Sequence, residues 1–141
     1  MSLFDAINVA ATSLAAQSVR LNTISSNLAN ANAVSSSEQG AYRARYAVFE
    51  SVYQEAAAGV MDDSGVAGVR VAGIIDSDLP ARREYAPSHP QADDNGFIWR
   101  PQINSVEEMT NMMEASRSYQ DSIEAMNTTK QLILRTLTLG R

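Results

Sequence analysis

Cysteine is absent from this 141-residue chain, and its absence removes several kinds of chemistry at once. Disulfides, thiolate nucleophiles and cysteine-ligated zinc all need a residue that the sequence does not contain. Aromatic residues are also few, at 6% of the chain, although such side chains supply much of the core in ordinary compact domains. We therefore expect no large single hydrophobic core.

Basic clusters and long apolar runs are missing as well. The net charge is −5 and the cations are scattered, whereas nucleic-acid binding depends on grouped Lys and Arg that face phosphates. No run approaches the roughly 18 apolar residues of a transmembrane helix. Asp5 stands where a secretory signal has a basic segment, so we expect no cleavable signal peptide. The sequence predicts neither a nucleic-acid partner nor a transmembrane segment.

The residues that could carry catalysis do not form a recognisable set. His89 is the single histidine, with Asp93 and Asp94 nearby, and it cannot complete a typical zinc site without a second His or a Cys. The serines lack the surroundings of a nucleophile elbow, and no Gly-Lys-Ser/Thr follows the glycines at 65 and 68. We predict a structural turn at His89, no catalytic, cofactor or metal site, and no enzyme activity.

What the sequence does contain is a regular apolar stripe near each end. Residues recur at steps of four and three, close to the period of about 3.5 residues found in helices that wind around other helices. The N-terminal stripe runs through Leu3, Ile7, Ala10, Leu14, Gln17, Leu21, Ile24 and Leu28. The C-terminal stripe runs through Met109, Met112, Ser116, Tyr119, Ile123, Met126, Lys130, Ile133 and Leu137. The pattern predicts two long helices that assemble with further helices.

The stripes divide the chain into three parts. Residues 1–30 and 105–141 are predicted as terminal helices, the second capped by Asn104 and Ser105 and ended by Gly140. Residues 31–104 are predicted as a loop followed by a small β-rich region, with strand-like runs at 42–53, 65–75, 82–85 and 97–99. The predicted fold is mainly α with a small β insertion, and its terminal helices form a coaxial, coiled-coil-like pair.

The outer face of the first helix is unusual because it carries almost no charge. Asp5 and Arg20 are the only charged residues in 1–30, whereas the solvent-facing side of a monomer's helix is normally charged. Small polar residues on that face would allow other helices to approach closely. The alternative is a weakly stable, Ala-rich surface helix. We favour the first interpretation, in which contacts with further copies stabilise the terminal segments.

Several stretches resemble the basal-body rod proteins among the bacterial flagellar axial proteins. Residues 24–32 are similar to the family's Ser-Asn-(Leu/Met)-Ala-Asn-Ala motif, and 42–50 resemble the segment that follows it. The motif before the C-terminal helix is matched within 85–96, and the strongest resemblance lies at 106–120 and 136–140. Two departures, at 104–105 and 120–122, leave the apolar stripe intact.

The resemblance implies a function in assembly. Members of this family line a hollow helical polymer with their N- and C-terminal helices, while the central region faces outward. They are exported through the flagellum-specific type III apparatus without a cleaved signal. By resemblance, this chain is a subunit of the proximal rod, which spans the periplasm within the basal body. The implied partners are copies of itself, other rod proteins, the junction with the membrane ring, and the export apparatus.

We predict that subunit contacts involve the stripes and the asparagines of the N-terminal motif. The predicted interface residues are Leu3, Ile7, Leu14, Leu21, Ile24, Asn27, Leu28, Asn30, Met109, Met112, Tyr119, Ile123, Met126, Ile133 and Leu137. A soluble coiled-coil adaptor or export chaperone is the alternative. It would explain the stripes, but neither the asparagine-rich motif nor the uncharged outer face.

Overall fold

The computed structural model describes residues 3–54 and 66–139 and contains two helices and four strands in that range. In chain order they are α1 (Leu3–Asn30), β1 (Arg45–Gln54), β2 (Val66–Asp76), β3 (Arg82–Tyr85), β4 (Phe97–Arg100) and α2 (Ser105–Leu139). The helices contain 28 and 35 residues and are therefore about 40 and 50 Å long. The predicted class, mainly helical with a small β part, is confirmed. Gly140, the predicted end of α2, lies outside the described residues.

The start of α2 is fixed by the predicted cap. The side-chain oxygen of Asn104 accepts a hydrogen bond from Val106 N at 3.1 Å, and its carbonyl accepts one from Glu108 N at 3.0 Å. The first bond satisfies an amide group that a helix start would otherwise leave unpaired, and the second is the first backbone hydrogen bond of the helix. Glu107 lies in the first turn, where the helix dipole favours a negative charge.

The two helices pack side by side in opposite directions. Ser13 Oγ lies 3.1 Å from Ser122 Oγ, Arg20 Nη2 lies 3.5 Å from Glu114 Oε2, and an amide hydrogen of Asn27 reaches Glu108 Oε2 at 3.2 Å. The partner number on α2 falls as the number on α1 rises, which defines an antiparallel pair. Small residues allow the close approach, since Ala10, Ala16 and Ala115 are all buried. A supercoiled, coiled-coil geometry stays a prediction.

The central region forms two antiparallel hairpins. β1 pairs with β2 from Arg45 opposite Asp76 to Gln54 opposite Val66, with an irregularity between Val48 and Phe49. β3 pairs with β4, and the connection between them closes in a tight turn in which Asp93 Oδ1 accepts hydrogen bonds from the amides of residues 95 and 97. Gly96 adopts φ +76° in this turn, a conformation that other residues rarely take.

The buried residues collect where the end of α1 meets the central region and the start of α2. The largest side chains with almost no exposed surface among the described residues are Ile98 and Asn27. Ser35 and Trp99 exchange two backbone hydrogen bonds of 2.9 Å, which tie the loop after α1 to β4. The core is small, as the low aromatic content predicts, and it holds the helix pair at one end.

Candidate assembly surfaces

Asn27 is the centre of a buried hydrogen-bonded junction. Its side-chain amide donates to the carbonyl of Arg45 at 2.9 Å and to Glu108 Oε2 at 3.2 Å. Its side-chain oxygen accepts from Arg45 N at 2.8 Å and from the Tyr42 hydroxyl at 3.0 Å. An asparagine amide has two donors and room for two acceptor bonds, so Asn27 is fully satisfied. We call Asn27, Tyr42, Arg45 and Glu108 the Asn27 junction.

The junction joins three elements that are far apart in the sequence. Because Asn27 bonds to both the N–H and the C=O of Arg45, its side chain acts like a neighbouring strand at the first residue of β1. Glu108, which is 5% exposed, brings in the first turn of α2. Since buried polar groups are costly when they lack a partner, these bonds favour one arrangement of α1, β1 and α2.

The other polar residues of the N-terminal motif also act within the chain. Ser26 Oγ lies 3.0 Å from the Tyr42 hydroxyl, and the Asn30 side chain donates to the carbonyl of Ser26 at 2.8 Å. Asn30 thereby adds a side-chain hydrogen bond within the last turn of α1. The motif thus ends α1 and attaches it to the segment that precedes β1.

Tyr46 lies beside the Asn27 junction, and nearby carboxylates affect the pKa of its phenol. Partial burial raises the pKa of the Tyr46 phenol above its usual value of 10.0, and the carboxylates of Glu108 and Glu107 raise it further. Both causes act in the same direction because each disfavours the negatively charged phenolate. Tyr46 is therefore a neutral contact between β1 and the acidic start of α2.

The predicted interface residues fall into three groups by exposure. Those buried within the chain are Ile24 and Asn27. Those half-buried along the helices are Ile7, Leu14, Leu21, Leu28, Asn30, Met112, Tyr119, Met126 and Ile133. Those exposed are Leu3, Met109, Ile123 and Leu137. Asn27 has no exposed surface, so it could support a subunit contact only by holding the helices in place. The half-buried and exposed groups keep apolar surface that a neighbour could cover.

At the opposite end of the helix pair, α2 extends past α1. The cross-helix pairs set a register that, when continued, places Leu3 level with Leu132. Residues 133–139 then form an overhang of about two helical turns. Leu134 and Leu137 are 53% and 65% exposed, far more than an apolar side chain in a core.

α1 also contacts the β1–β2 hairpin. Thr12 Oγ1 accepts a hydrogen bond from Val69 N at 3.3 Å and donates to the carbonyl of Val9 at 2.9 Å. Gly68 permits this approach, because a Cβ atom there would lie 3.3 Å from Thr12 Oγ1. An open apolar groove of about 690 Å³ runs between the helix and the hairpin.

His89 has the structural surroundings that its sequence predicts. Its N–H donates to the carbonyl of Ala86 at 3.0 Å, and its Nδ1 accepts from Gln91 N at 3.1 Å. Among the described residues, no group of three or more His, Asp or Glu side chains is arranged to hold a metal ion. Within the same residues, neither helix has a stretch long and apolar enough to cross a membrane.

Comparison with known families finds a match near each end of the chain. Residues 7–35 match a family model described as "Flagella basal body rod protein", and residues 94–139 match one described as "Flagellar basal body rod FlgEFG protein C-terminal". The chain is 45% identical over 141 residues to the flagellar basal-body rod protein FlgC of Salmonella typhimurium, and the match covers 100% of both chains. This chain belongs to the flagellar basal-body rod protein family.

More distant members of the family match along nearly the whole length too. Identity is 44% over 141 residues to FlgC of Yersinia enterocolitica, with 100% of both chains covered. It is 35% over 150 residues to FlgC of Borreliella burgdorferi, covering 99% of this chain and 98% of that one. The relatives are named as structural rod proteins and not as enzymes, so the predicted family and the prediction of a non-enzymatic structural protein are confirmed. The chain is a structural component of the flagellar basal body.

Sequence reasoning missed the importance of Tyr42 and Glu108. No sequence pattern indicated that the Glu108 carboxylate would be buried against Asn27. A partial signal was present, since Asn27 and Tyr42 both lie in stretches that resemble the rod family. The two family matches include Asn27 and Glu108 respectively, and the structure joins them directly.

Proposed function

We propose that this chain is a subunit of the proximal rod, and that it polymerises through α1 and α2 into a hollow axial structure that transmits torque across the periplasm. One observation carries the proposal: the two family-matched segments contain most of α1 and all of α2, and these helices pack against each other while their stripes stay incompletely covered. A single chain therefore presents a helical pair with apolar surface left for neighbours.

The energetic reason for assembly lies in that uncovered surface. Each large apolar side chain contributes about 1.5–3 kcal/mol when it passes from exposed to fully buried. Leu21 and Met112 are half-buried and Ile123 is 38% exposed, so each has part of this free energy still to gain. Many such contacts, spread along two helices, would stiffen a rod without depending on any single residue.

The proposed route to the rod is export through the flagellar type III apparatus as an unfolded chain. The absence of cysteine supports this route, since no disulfide could oppose unfolding. The small core supports it as well, because few large side chains must leave a buried site. The proposed partners are other copies of this chain, other rod proteins, the junction with the membrane ring, and the export apparatus.

Hydrogen exchange on isolated basal bodies, beside the purified chain, tests the proposal. We expect the chain to be present in basal bodies, with slower exchange along both helices than in the purified chain. The adaptor or chaperone alternative predicts a stable closed oligomer in solution and no chain in basal bodies. That second result would reject the rod function.

Substitutions on the stripes test which surface polymerises. Leu21→Asp or Ile123→Asp should abolish incorporation into basal bodies while the protein is still expressed, because each places a charge on a seam between helices. Thr128→Asp is the control, since Thr128 is exposed and lies on the side of α2 opposite the stripe. Normal rods from either stripe variant would contradict the proposed seam.

A further inference from the structure

The groove between α1 and the β1–β2 hairpin has a distinct chemical character. Its helix wall includes Asn8, Ala11, Thr12, Ala15 and Val19, and its strand wall includes Val52, Val69 and Val71. Ala11 and Ala15 are exposed, so their small side chains leave space above the helix backbone. An occupant with larger apolar side chains would complement this floor.

The groove offers no unpaired charge to a ligand. Arg70 is its single charged lining residue in the part of the chain that the structure describes, and its Nη2 lies 2.7 Å from Glu50 Oε2. Thr12 already accepts a hydrogen bond from Val69 and donates one to Val9. An apolar helix could therefore enter without leaving a buried ion or hydroxyl unsatisfied, which is the usual requirement for helix-in-groove binding.

The overhang has the properties that such an occupant needs. Ile133, Leu134 and Leu137 lie within about 100° of one another around the helix, whereas Arg135 lies on the far side. Residues 133–139 form a segment about 10 Å long. Its large apolar side chains complement the space that the small alanine side chains of the helix wall leave in the groove.

We propose that the overhang of one copy docks in the groove of a second copy. The inference rests on the proposed rod function, because it names the contact by which copies join. Overhang and groove are different surfaces of the same chain, so each copy presents one of each. Such a heterologous contact does not pair off two molecules and can continue indefinitely, as a helical polymer requires.

Cross-linking tests this contact directly, since the chain has no cysteine of its own. Ala15→Cys and Leu137→Cys would be produced as separate chains in the same cells, and basal bodies would be isolated and oxidised. We expect a disulfide-linked dimer that contains both peptides. Ala15→Cys with Arg135→Cys is the matched control, because residue 135 lies on the far face of the overhang, and it should give little of this product.

The remaining outcomes separate this inference from the rod function. If the variants enter basal bodies but the link does not form, the docking contact is wrong and the rod function stands. If the unaltered chain is itself missing from basal bodies, the rod function fails. A photo-reactive residue at position 15 that captures a different rod protein, instead of residues 133–139 of a second copy, would also overturn the docking contact.

A charge-free substitution provides an independent measurement. Leu137→Gln should lower incorporation into basal bodies about tenfold or more, because a leucine that docks loses its burial. Arg135→Gln places the same residue on the opposite face and should incorporate normally. Equal incorporation of the two variants would contradict docking through Leu137.

Discussion

The two ends of the helix pair differ in how they use their side chains. At one end, Asn27 is 0% exposed and makes four hydrogen bonds that join α1, β1 and α2. At the other end, α2 continues past α1 and leaves Leu134 and Leu137 mostly exposed. At the first end, the buried polar groups have hydrogen-bond partners within the same chain. At the second end, apolar side chains stay exposed.

This difference indicates a division between folding and assembly. Hydrogen bonds depend on distance and angle, so a buried set of them favours one geometry of the subunit. Apolar contact is less directional and tolerates small differences between neighbours. A subunit that assembles as proposed needs both properties, and here the buried hydrogen bonds and the exposed apolar surface lie at opposite ends of the same helices.

The largest expected effect comes from breaking the Asn27 junction. Asn27→Ala should lower the free energy of unfolding by about 2–4 kcal/mol, because it leaves Arg45 N and the buried Glu108 carboxylate without this partner. Urea denaturation followed by circular dichroism measures the loss. Asn22→Ala, at an exposed site on the same helix, is the control. If Asn27→Ala lowered the free energy of unfolding no more than the control, the Asn27 junction would not stabilise its end of the helix pair.

Crowding the helix pair should have the next largest effect. Ala115 has 0% exposure, so Ala115→Leu must push side chains or backbone apart and should lower the free energy of unfolding by about 1–3 kcal/mol. The same denaturation experiment applies, with the exposed Ala29→Leu as control. If Ala115→Leu were tolerated as well as the control, the close approach of α1 and α2 would be wrong.

A smaller effect should follow when a single hydrogen-bonding group is removed from the junction. Tyr42→Phe deletes the hydroxyl that bonds to Asn27 and lies beside Ser26, and should lower the free energy of unfolding by about 1 kcal/mol. Tyr85→Phe provides a control because Tyr85 is 66% exposed. Comparing Tyr42→Phe with Asn27→Ala would show how much of the junction's stability depends on its central amide.

The smallest effect on folding should come from the overhang. Leu137→Gln should change the free energy of unfolding of the purified chain by less than about 0.5 kcal/mol, since Leu137 is mostly exposed. The same variant is expected to incorporate poorly into basal bodies. Strong destabilisation of the purified chain would show that the overhang packs within its own subunit, and the contrast between the two ends would then disappear.

Local features of the fold were predicted from sequence because they depend on residues close together in the chain. The stripes and the Asn104 cap each involve interactions over a few residues. The predicted helices 1–30 and 105–141 therefore agree closely with α1 and α2. The four strands were also predicted from the sequence, but the pairing between them was not. Alternation of apolar and polar residues indicates that a segment is a strand and does not show which strand it pairs with.

The sequence by itself determined the mainly helical class, the end of α1, the start of α2 and the family resemblance, since these depend on periodicity, capping residues and short motifs. Only the tertiary structure decided that Asn27 meets Glu108, which is 81 residues away, and that α2 extends past α1. Such facts depend on the register in which two helices pack. That register is a balance of many weak contacts between distant residues, and no local pattern records it.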